Sequence, residues 1–218
     1  MQNLFFERKL SSENQAGTRI LLCAHYDSRP RCDRDPDPDR RNDSLPGAND
    51  GGSGVAVLME LALIFDSVPP ETSVDFAFFD GEDWGEQGDI DQYCLGSIEF
   101  AGQVPAMRYR FAILLDIVGH LDAKFYREGN SEKYARELND HFWEIALEMR
   151  PNRFVDSVGI SIMDDHIPLL GARIPTIDII DLSYPQWHTS SDLPEYCDTT
   201  ALSDIGEVVA ELVYREKK

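Results

Sequence analysis

Three acidic residues follow directly on an apolar run in the stretch FFDGEDWG, residues 78–85. They are Asp80, Glu82 and Asp83, and no basic residue lies nearby in the sequence to neutralise them. Neighbouring carboxylates repel one another unless one of them holds a proton or a cation lies between them. The side-by-side pair of Glu82 and Asp83 therefore suggests metal binding, proton transfer, or both.

Further metal-type side chains follow the other apolar runs of the chain. His25 comes after RILLCA, Asp116 after AILL and His188 after IDIIDL, while Asp50 lies in a glycine-rich turn. Taken alone, an Asp at the end of a strand is more often a turn former or a helix cap, and a histidine such as His188 is more often a surface or hydrogen-bonded residue. Their joint position at the carboxyl ends of successive runs predicts a single site, and mixed histidine and carboxylate ligands are typical of zinc.

Strands and helices alternate along the chain. The apolar patterns predict strands near 18–27, 73–79, 108–119 and 174–182, and helices near 55–65, 131–149 and 199–218. In the first helix the apolar stripe is formed by Val55, Leu58, Met59, Ala62 and Phe65. This order predicts a three-layer α/β/α sandwich with a mixed, mostly parallel central sheet. Ligands bind outside the carboxyl ends of such strands, where the acids and histidines fall. We expect residues 1–218 to form one domain.

Composition excludes several classes of partner. The 218 residues carry 40 acids against 20 bases, a formal net charge of -20, which disfavours nucleic acid and anionic membrane as partners. No apolar run is long enough for a transmembrane helix, and no signal peptide is recognisable. The four cysteines show no CxxC pairing. Cys23 and Cys94 are expected to be buried thiols, with one disulfide left open.

Six segments in order resemble the zinc aminopeptidase superfamily: LLCAHYDSRP, PGANDGGSGVAVLMELA, FAFFDGEDWG, LLDIVG, MDDHIPLL and YPQWHTSSD. Within it the chain is most similar to the animal-type (type II) glutaminyl cyclases and their bacterial relatives. Trp187 directly precedes His188, and DDHIPLL supplies Asp164 at the position of a catalytic aspartate. Two features differ: Asp83 stands where animal cyclases have glutamate, although bacterial relatives carry the Glu-Asp pair, and the usual N-terminal helices and first strand are missing or very short.

The resemblance implies a zinc-dependent glutaminyl-peptide cyclotransferase, which converts the N-terminal glutamine of a peptide or protein to pyroglutamate and releases ammonia. It assigns one zinc ion to Asp50, Asp83 and His188, which leaves one tetrahedral position for the substrate carbonyl oxygen. Glu82 would carry a proton from the substrate's α-amine to the departing ammonia. The adjacent acids then have separate roles, one on the metal and one off it.

The remaining site residues follow from the same resemblance. Asp116 and Asp164 are implied as hydrogen-bond partners of Glu82 and of the migrating protons. Trp187 and Tyr184 are expected to wall the pocket and exclude water. Bacterial relatives of this kind are generally exported, which favours a periplasmic or extracellular location.

A two-zinc aminopeptidase is the alternative, because one fold can host both chemistries. In that case His25 and Asp116 would bind a second metal ion, bridged to the first by Asp50, and Glu82 would activate a metal-bound water. A third possibility is a relative that keeps the fold without the chemistry. The intact metal and acid residues argue against it.

Overall fold

The computed structural model describes residues 1–7, 19–86, 88–105 and 108–217. Within these ranges the strands are β1 (Leu4–Glu7), β2 (Arg19–His25), β3 (Ser73–Phe79), β4 (Tyr109–Asp116), β5 (Phe125–Arg127), β6 (Phe154–Val158) and β7 (Thr176–Ile180). The helices are α1 (Gly52–Ser67), α2 (Leu95–Gln103), α3 (Gly129–Tyr134), α4 (Arg136–Met149), α5 (His166–Gly171) and α6 (Thr199–Arg215).

The central sheet has the strand order β1-β3-β2-β4-β7. β2, β3, β4 and β7 are parallel and β1 is antiparallel at one edge, so the predicted mixed, mostly parallel sheet is confirmed. His25 pairs with Phe79, and Asp116 pairs with Ile180, each at the last position of its strand. The carboxyl ends therefore form one rim. β5 and β6 form a separate two-stranded sheet that the sequence analysis did not predict.

Helices cover both faces of the central sheet, as predicted. The side chains of β2 show how the layers separate: Ile20 and Leu22 point into the core formed with α1, α4 and α6, whereas Leu21 and Cys23 point toward α2 and α5. Each fully buried aliphatic side chain of this kind stabilises the fold by about 1.5–3 kcal/mol. The α/β/α sandwich follows from a central sheet that is apolar on both faces.

The buried face of α1 includes the predicted Leu58 and Phe65, with Val55 and Ala62 packed partly buried against the core, and differs from the prediction at Met59. The buried apolar residues are Val57, Leu58, Leu61 and Phe65, whereas Met59 is 61% exposed. The cause is Gly54, because a Cβ there would lie 2.2 Å from the carbonyl oxygen of Leu115. α1 thus rests on the backbone of β4 through a glycine, and its buried stripe runs from that contact. The prediction that included Met59 in the stripe is wrong because a hydrophobic pattern cannot register a glycine contact.

The remaining expectations concern the cysteines, the first strand and membrane spans. All four cysteines are free thiols, three of them buried, so the disulfide left open by the sequence is not formed. β1 has four residues and lies exposed at the sheet edge. Among the described residues, every helix is too short or too polar to cross a bilayer.

Candidate metal centre and active site

The predicted metal-type side chains meet at the rim formed by the carboxyl ends of the strands. His25 ends β2 and Asp116 ends β4, while Asp50 lies in the turn that leads into α1. Gly51 permits this approach, since its φ is 84° and a Cβ there would lie 2.9 Å from the ring of His25. Two overlapping groups of ligand atoms, each within 4.8 Å of one another, result: His25, Asp50 and Asp116, and Asp50, Asp83 and His188.

The group of Asp50, Asp83 and His188 has the features of a cation site. The Nε2 atom of His188 lies 3.6 Å from Oδ2 of Asp50 and 3.5 Å from Oδ2 of Asp83. Both of these carboxylate oxygens are buried and have no hydrogen-bond partner. A buried anionic oxygen without a partner is costly, and a bound cation removes that cost. Two carboxylates and one imidazole match the ligand preferences of zinc.

A hydrogen-bonded frame holds Asp50 in place. Its backbone amide and that of Asn49 donate to the Asp192 carboxylate over 3.1 and 2.9 Å. The hydroxyl of Tyr184 donates to the same carboxylate over 2.9 Å. Tyr184 is 3% exposed, and its place in the pocket wall stays a prediction. Its hydroxyl pairs with Asp192, so the residue also supports the turn that carries Asp50.

Arg29 and Asp33, which the sequence analysis did not single out, connect the other two residues of the group. The buried Arg29 guanidinium pairs with the carboxylate of Asp83 and, over 2.9 Å, with that of Asp33. Asp33 in turn lies 3.2 Å from Nδ1 of His188. A carboxylate on the far nitrogen fixes the orientation of a metal-binding histidine and leaves Nε2 to face the metal.

The protonation of this group follows from its burial. Burial, and then the charge of Arg29, lowers the pKa of His188 to about 4, so its imidazole is neutral and able to bind a metal near neutral pH. Burial and repulsion from Asp50 raise the pKa of Asp83 to about 8, despite the opposing attraction of Arg29. Burial also raises the pKa of Asp50 to about 6. These carboxyl groups ionise together only with a nearby cationic counter-charge.

The second group differs because its key atoms are already paired. Nε2 of His25 is hydrogen-bonded to Oδ1 of Asp116 at 3.1 Å and lies 3.3 Å from Oδ1 of Asp50. Nδ1 of the same ring lies 3.5 Å from Asp27. Burial alone would lower the pKa of His25, but the hydrogen bonds to Asp116 and Asp27 outweigh it and raise the pKa well above its usual value. His25 is therefore an internal counter-charge for these acids.

The turn after β3 separates Glu82 from Asp83. Gly81 adopts a φ of 75°. The carboxylate of Asp27 accepts hydrogen bonds from the backbone amides of Glu82 and Asp83 over 3.1 and 3.3 Å. The fixed backbone lets the two side chains diverge. Asp83 faces His188, whereas the carboxylate of Glu82 accepts from the thiol of Cys94 over 3.7 Å.

The surroundings of Glu82 suit a group that exchanges protons. Glu82 lies in one group with Cys94 and Asp164, whose ligand atoms are all within 4.8 Å. Burial, followed by the charge of Asp164, raises the pKa of Glu82 well above its usual value. Asp116 was expected to be a hydrogen-bond partner of Glu82. It is hydrogen-bonded to His25, because His25 and Asp116 end the neighbouring strands β2 and β4.

Trp187 lies half-buried beside the metal-type group. Its ring centroid is 4.4 Å from that of His188, and Cζ of the Arg34 guanidinium lies 4.1 Å from the centroid of the Trp187 ring. His188 itself has a left-handed φ of 56°. A non-glycine residue in this conformation is held there by its surroundings, which is common at functional sites.

The chain is similar to known proteins in both sequence and structure. The sequence model of peptidase family M28 matches residues 7–213 of the chain. A solved Bacteroides thetaiotaomicron structure described as a leucine aminopeptidase precursor has a TM-score of 0.92 and 37% identity, covering 99% of this chain and 77% of that one. A glutaminyl cyclase from Bacteroides thetaiotaomicron, bound to N-acetylhistamine, has a TM-score of 0.92 and 36% identity, with the same coverage of 99% and 77%.

Curated relatives are more distant and longer. A glutaminyl-peptide cyclotransferase of Dictyostelium discoideum is 26% identical to this chain. The alignment covers 87% of this chain and 58% of that protein. The chain spans 41% to 65% of the length of the curated relatives from bacterial, amoebal and animal sources that it matches.

Proposed function

The chain belongs to peptidase family M28, and we propose that within this family it is a glutaminyl-peptide cyclotransferase. Its substrate is the N-terminal glutamine of a peptide or protein, which it closes to pyroglutamate with release of ammonia. The similarity to solved bacterial glutaminyl cyclases and to curated cyclotransferases supports this proposal. We also propose a periplasmic or extracellular location, which the family resemblance implies.

One zinc ion is proposed, held by Asp50, Asp83 and His188. The observation that carries this number is the contrast between the two groups of ligand atoms. Oδ2 of Asp50 and Oδ2 of Asp83 are buried without hydrogen-bond partners. Nε2 of His25, by contrast, is already hydrogen-bonded to Asp116. When bound, zinc would act as a Lewis acid that polarises the side-chain carbonyl of the substrate glutamine.

Glu82 is proposed to carry the proton. It lies beside Asp83 in sequence but faces Asp164 and Cys94, so its carboxylate is close to the metal group without belonging to it. Glu82 would accept a proton from the α-amine as that amine attacks the side-chain carbonyl, and would then pass the proton to the departing ammonia. The reaction is intramolecular, so holding the substrate folded supplies a large share of the acceleration.

Trp187 is proposed to line the pocket beside His188. Its ring is packed against His188 and covered by Arg34, so it is fixed in place without a substrate. An aromatic wall beside the reacting carbonyl keeps water out, which favours attack by the amine over hydrolysis. Tyr184 contributes indirectly through Asp192.

The test is a product assay on the purified, zinc-loaded chain. A peptide with N-terminal glutamine should release one ammonia per molecule and yield a pyroglutamyl peptide, and the same peptide with N-terminal alanine should remain unchanged. Release of free amino acids from both peptides, without ammonia, would overturn the proposal.

A two-zinc aminopeptidase is the second candidate. The observation in its favour is that Asp50 lies between the two histidines, with Oδ1 3.3 Å from His25 and Oδ2 3.6 Å from His188, as a bridging ligand requires. A solved relative is also described as a leucine aminopeptidase precursor. Under this reading Asp116 would complete the ligand set of a second metal ion, and Glu82 would activate water. The peptide pair above separates the two reactions.

A further inference from the structure

One buried guanidinium connects two of the three proposed zinc ligands. Arg29 lies in the segment that follows β2 and is only 1% exposed. Its side chain donates five hydrogen bonds, which equals its number of N–H donors. The proposed reaction uses none of these bonds directly, so they point to a role in arranging the metal ligands.

The contact with Asp83 occupies one of its two carboxylate oxygens. Nη1 of Arg29 donates to Oδ1 of Asp83 and, over 3.3 Å, to the backbone carbonyl of Asp83. The other oxygen, Oδ2, is buried without a hydrogen-bond partner and lies 3.5 Å from Nε2 of His188. With Oδ1 held by the guanidinium, Asp83 offers a metal ion a single oxygen.

The contact with Asp33 orients the second ligand, His188. Nε and Nη2 of Arg29 donate to the two carboxylate oxygens of Asp33 over 3.1 and 2.9 Å, in the paired geometry that a guanidinium provides. Oδ1 of Asp33 lies 3.2 Å from Nδ1 of His188, which leaves Nε2 to face the metal. One arginine therefore fixes the metal-facing atom of two ligands.

Arg29 is itself held in place from two sides. Nη2 donates to the hydroxyl of Tyr93 over 3.2 Å, and Cζ lies 5.7 Å from the centroid of the Tyr93 ring. The backbone carbonyl of Arg29 accepts from the amide of Leu45 over 2.9 Å. The third ligand, Asp50, is fixed separately by Asp192. Two independent frames thus place the three ligands.

A carboxylate restricted to one oxygen suits some metal ions better than others. Zinc takes a small tetrahedral set of ligands at short distances. Manganese prefers an octahedral set rich in oxygen, and large hard cations often take both oxygens of a carboxylate. A carboxylate that is free to turn both oxygens toward the ion therefore serves manganese better than Asp83 does while Arg29 holds it.

We propose that Arg29 is a positioning residue that sets metal selectivity: by holding Asp83 on one oxygen and Asp33 against His188, it favours a four-coordinate zinc ion over octahedral ions. The inference rests on the proposed zinc site and concerns the choice of ion. The determinant is the shape of the guanidinium, because lysine carries the same charge but offers three donors from a single nitrogen.

The test replaces Arg29 by lysine and measures the affinity of the full chain for zinc alone and for manganese alone, each by competition with a chelator. Zinc affinity should fall about 10–100-fold, the usual cost of losing a residue that orients a metal ligand. Manganese affinity should fall less than about threefold, so the preference for zinc narrows at least about threefold. Equal losses for the two ions, or no loss for zinc, would overturn the inference.

Arg153→Lys is the matched control. Arg153 is 12% exposed and donates to Asp204 through Nε and Nη2 over 3.2 and 3.1 Å, much as Arg29 donates to Asp33. Its Nη1 donates to the carbonyls of Leu121 and Ala123, and none of these partners is a proposed zinc ligand. The control should keep the wild-type affinity for both ions. An equal loss of the zinc preference in Arg153→Lys would overturn the inference.

Cobalt gives a measurement that needs neither turnover nor a variant, because tetrahedral cobalt absorbs visible light far more strongly than octahedral cobalt. The cobalt-loaded wild type should show the intense bands of a four-coordinate ion, and Arg29→Lys should show weaker bands as Asp83 turns both oxygens toward the ion. Weak octahedral-type bands in the wild type would overturn the inference, even if Arg29→Lys did not fold.

The inference and the proposed function fail in different experiments. A wild type that binds zinc but releases no ammonia would count against the proposed reaction alone, because metal affinity and cobalt spectra are measured without turnover. An Asp83→Ala variant with unchanged zinc affinity would count against the proposed ligands and would overturn the inference with them.

Discussion

Replacement of Glu82 by glutamine separates proton transfer from metal binding. The change keeps the shape of the side chain, and the amides of Glu82 and Asp83 remain held by Asp27 because those bonds are to the backbone. The amide oxygen of glutamine can also accept from the thiol of Cys94, as the carboxylate does. Only the ability to take up a proton is lost, so the proposed zinc site at Asp50, Asp83 and His188 should keep its geometry.

The expected loss of kcat in Glu82→Gln follows from the role of Glu82 as a general acid and base. General acid–base catalysis contributes about 10²–10⁴-fold, which corresponds to about 2.7–5.4 kcal/mol of activation free energy. We therefore expect Glu82→Gln to lower kcat by that factor, with KM within about threefold of the wild type and zinc content unchanged.

The assay is ammonia release from a peptide with N-terminal glutamine, run beside metal analysis of the same sample. The matched control is Glu86→Gln, which makes the same chemical change in a side chain that is 77% exposed and lies 3.6 Å from Arg31. The control should retain wild-type turnover. A Glu82→Gln variant with more than about a tenth of wild-type kcat, or one that has lost its zinc, would refute the role assigned to Glu82.

Three further predictions follow from the site. Asp83→Ala should lower zinc affinity by at least about tenfold because it removes a ligand, and unchanged occupancy in a chelator titration would count against it. Removal of zinc by a chelator should lower the free energy of unfolding by more as pH rises from about 4 toward 8. The reason is that Asp83, with its pKa of about 8, binds more protons in the folded than in the unfolded zinc-free chain. Melting curves recorded with and without zinc measure this difference. Glu128 has the opposite sign, with a pKa lowered from 4.5 to about 2, so its stabilisation is present above 4.5 and lost as pH falls toward 2. Urea melts of Glu128→Gln should show a flatter acid limb, and an unchanged limb would contradict this.

The sheet and its functional rim were predictable from the sequence because both depend on local patterns. The apolar runs locate the strands, and the polar residues that end them must meet once the strands are parallel. Glu82 and Asp83 illustrate this, since their position directly after β3 already implied two acids at one rim. The family resemblance then separated their roles.

The supporting residues were not predictable because their partners come from distant parts of the chain. Arg29 and Asp83 are 54 positions apart, and Asp192 holds the amide of Asp50 across 142 positions. Such contacts follow from how loops fold over the rim, for which hydrophobic periodicity gives no signal. The support that Tyr184 gives to the turn at Asp50 was missed for the same reason, since nothing in the sequence indicates the buried Asp192 carboxylate that accepts from its hydroxyl.

The central claim is that one zinc ion lies between Asp50, Asp83 and His188. Anomalous diffraction at the zinc absorption edge, on crystals of the zinc-loaded chain, tests it most directly. We predict one strong peak among these three residues and the His25–Asp116 hydrogen bond intact beside it. A second peak of comparable height between His25 and Asp116 would contradict the claim and would favour the two-metal hydrolase.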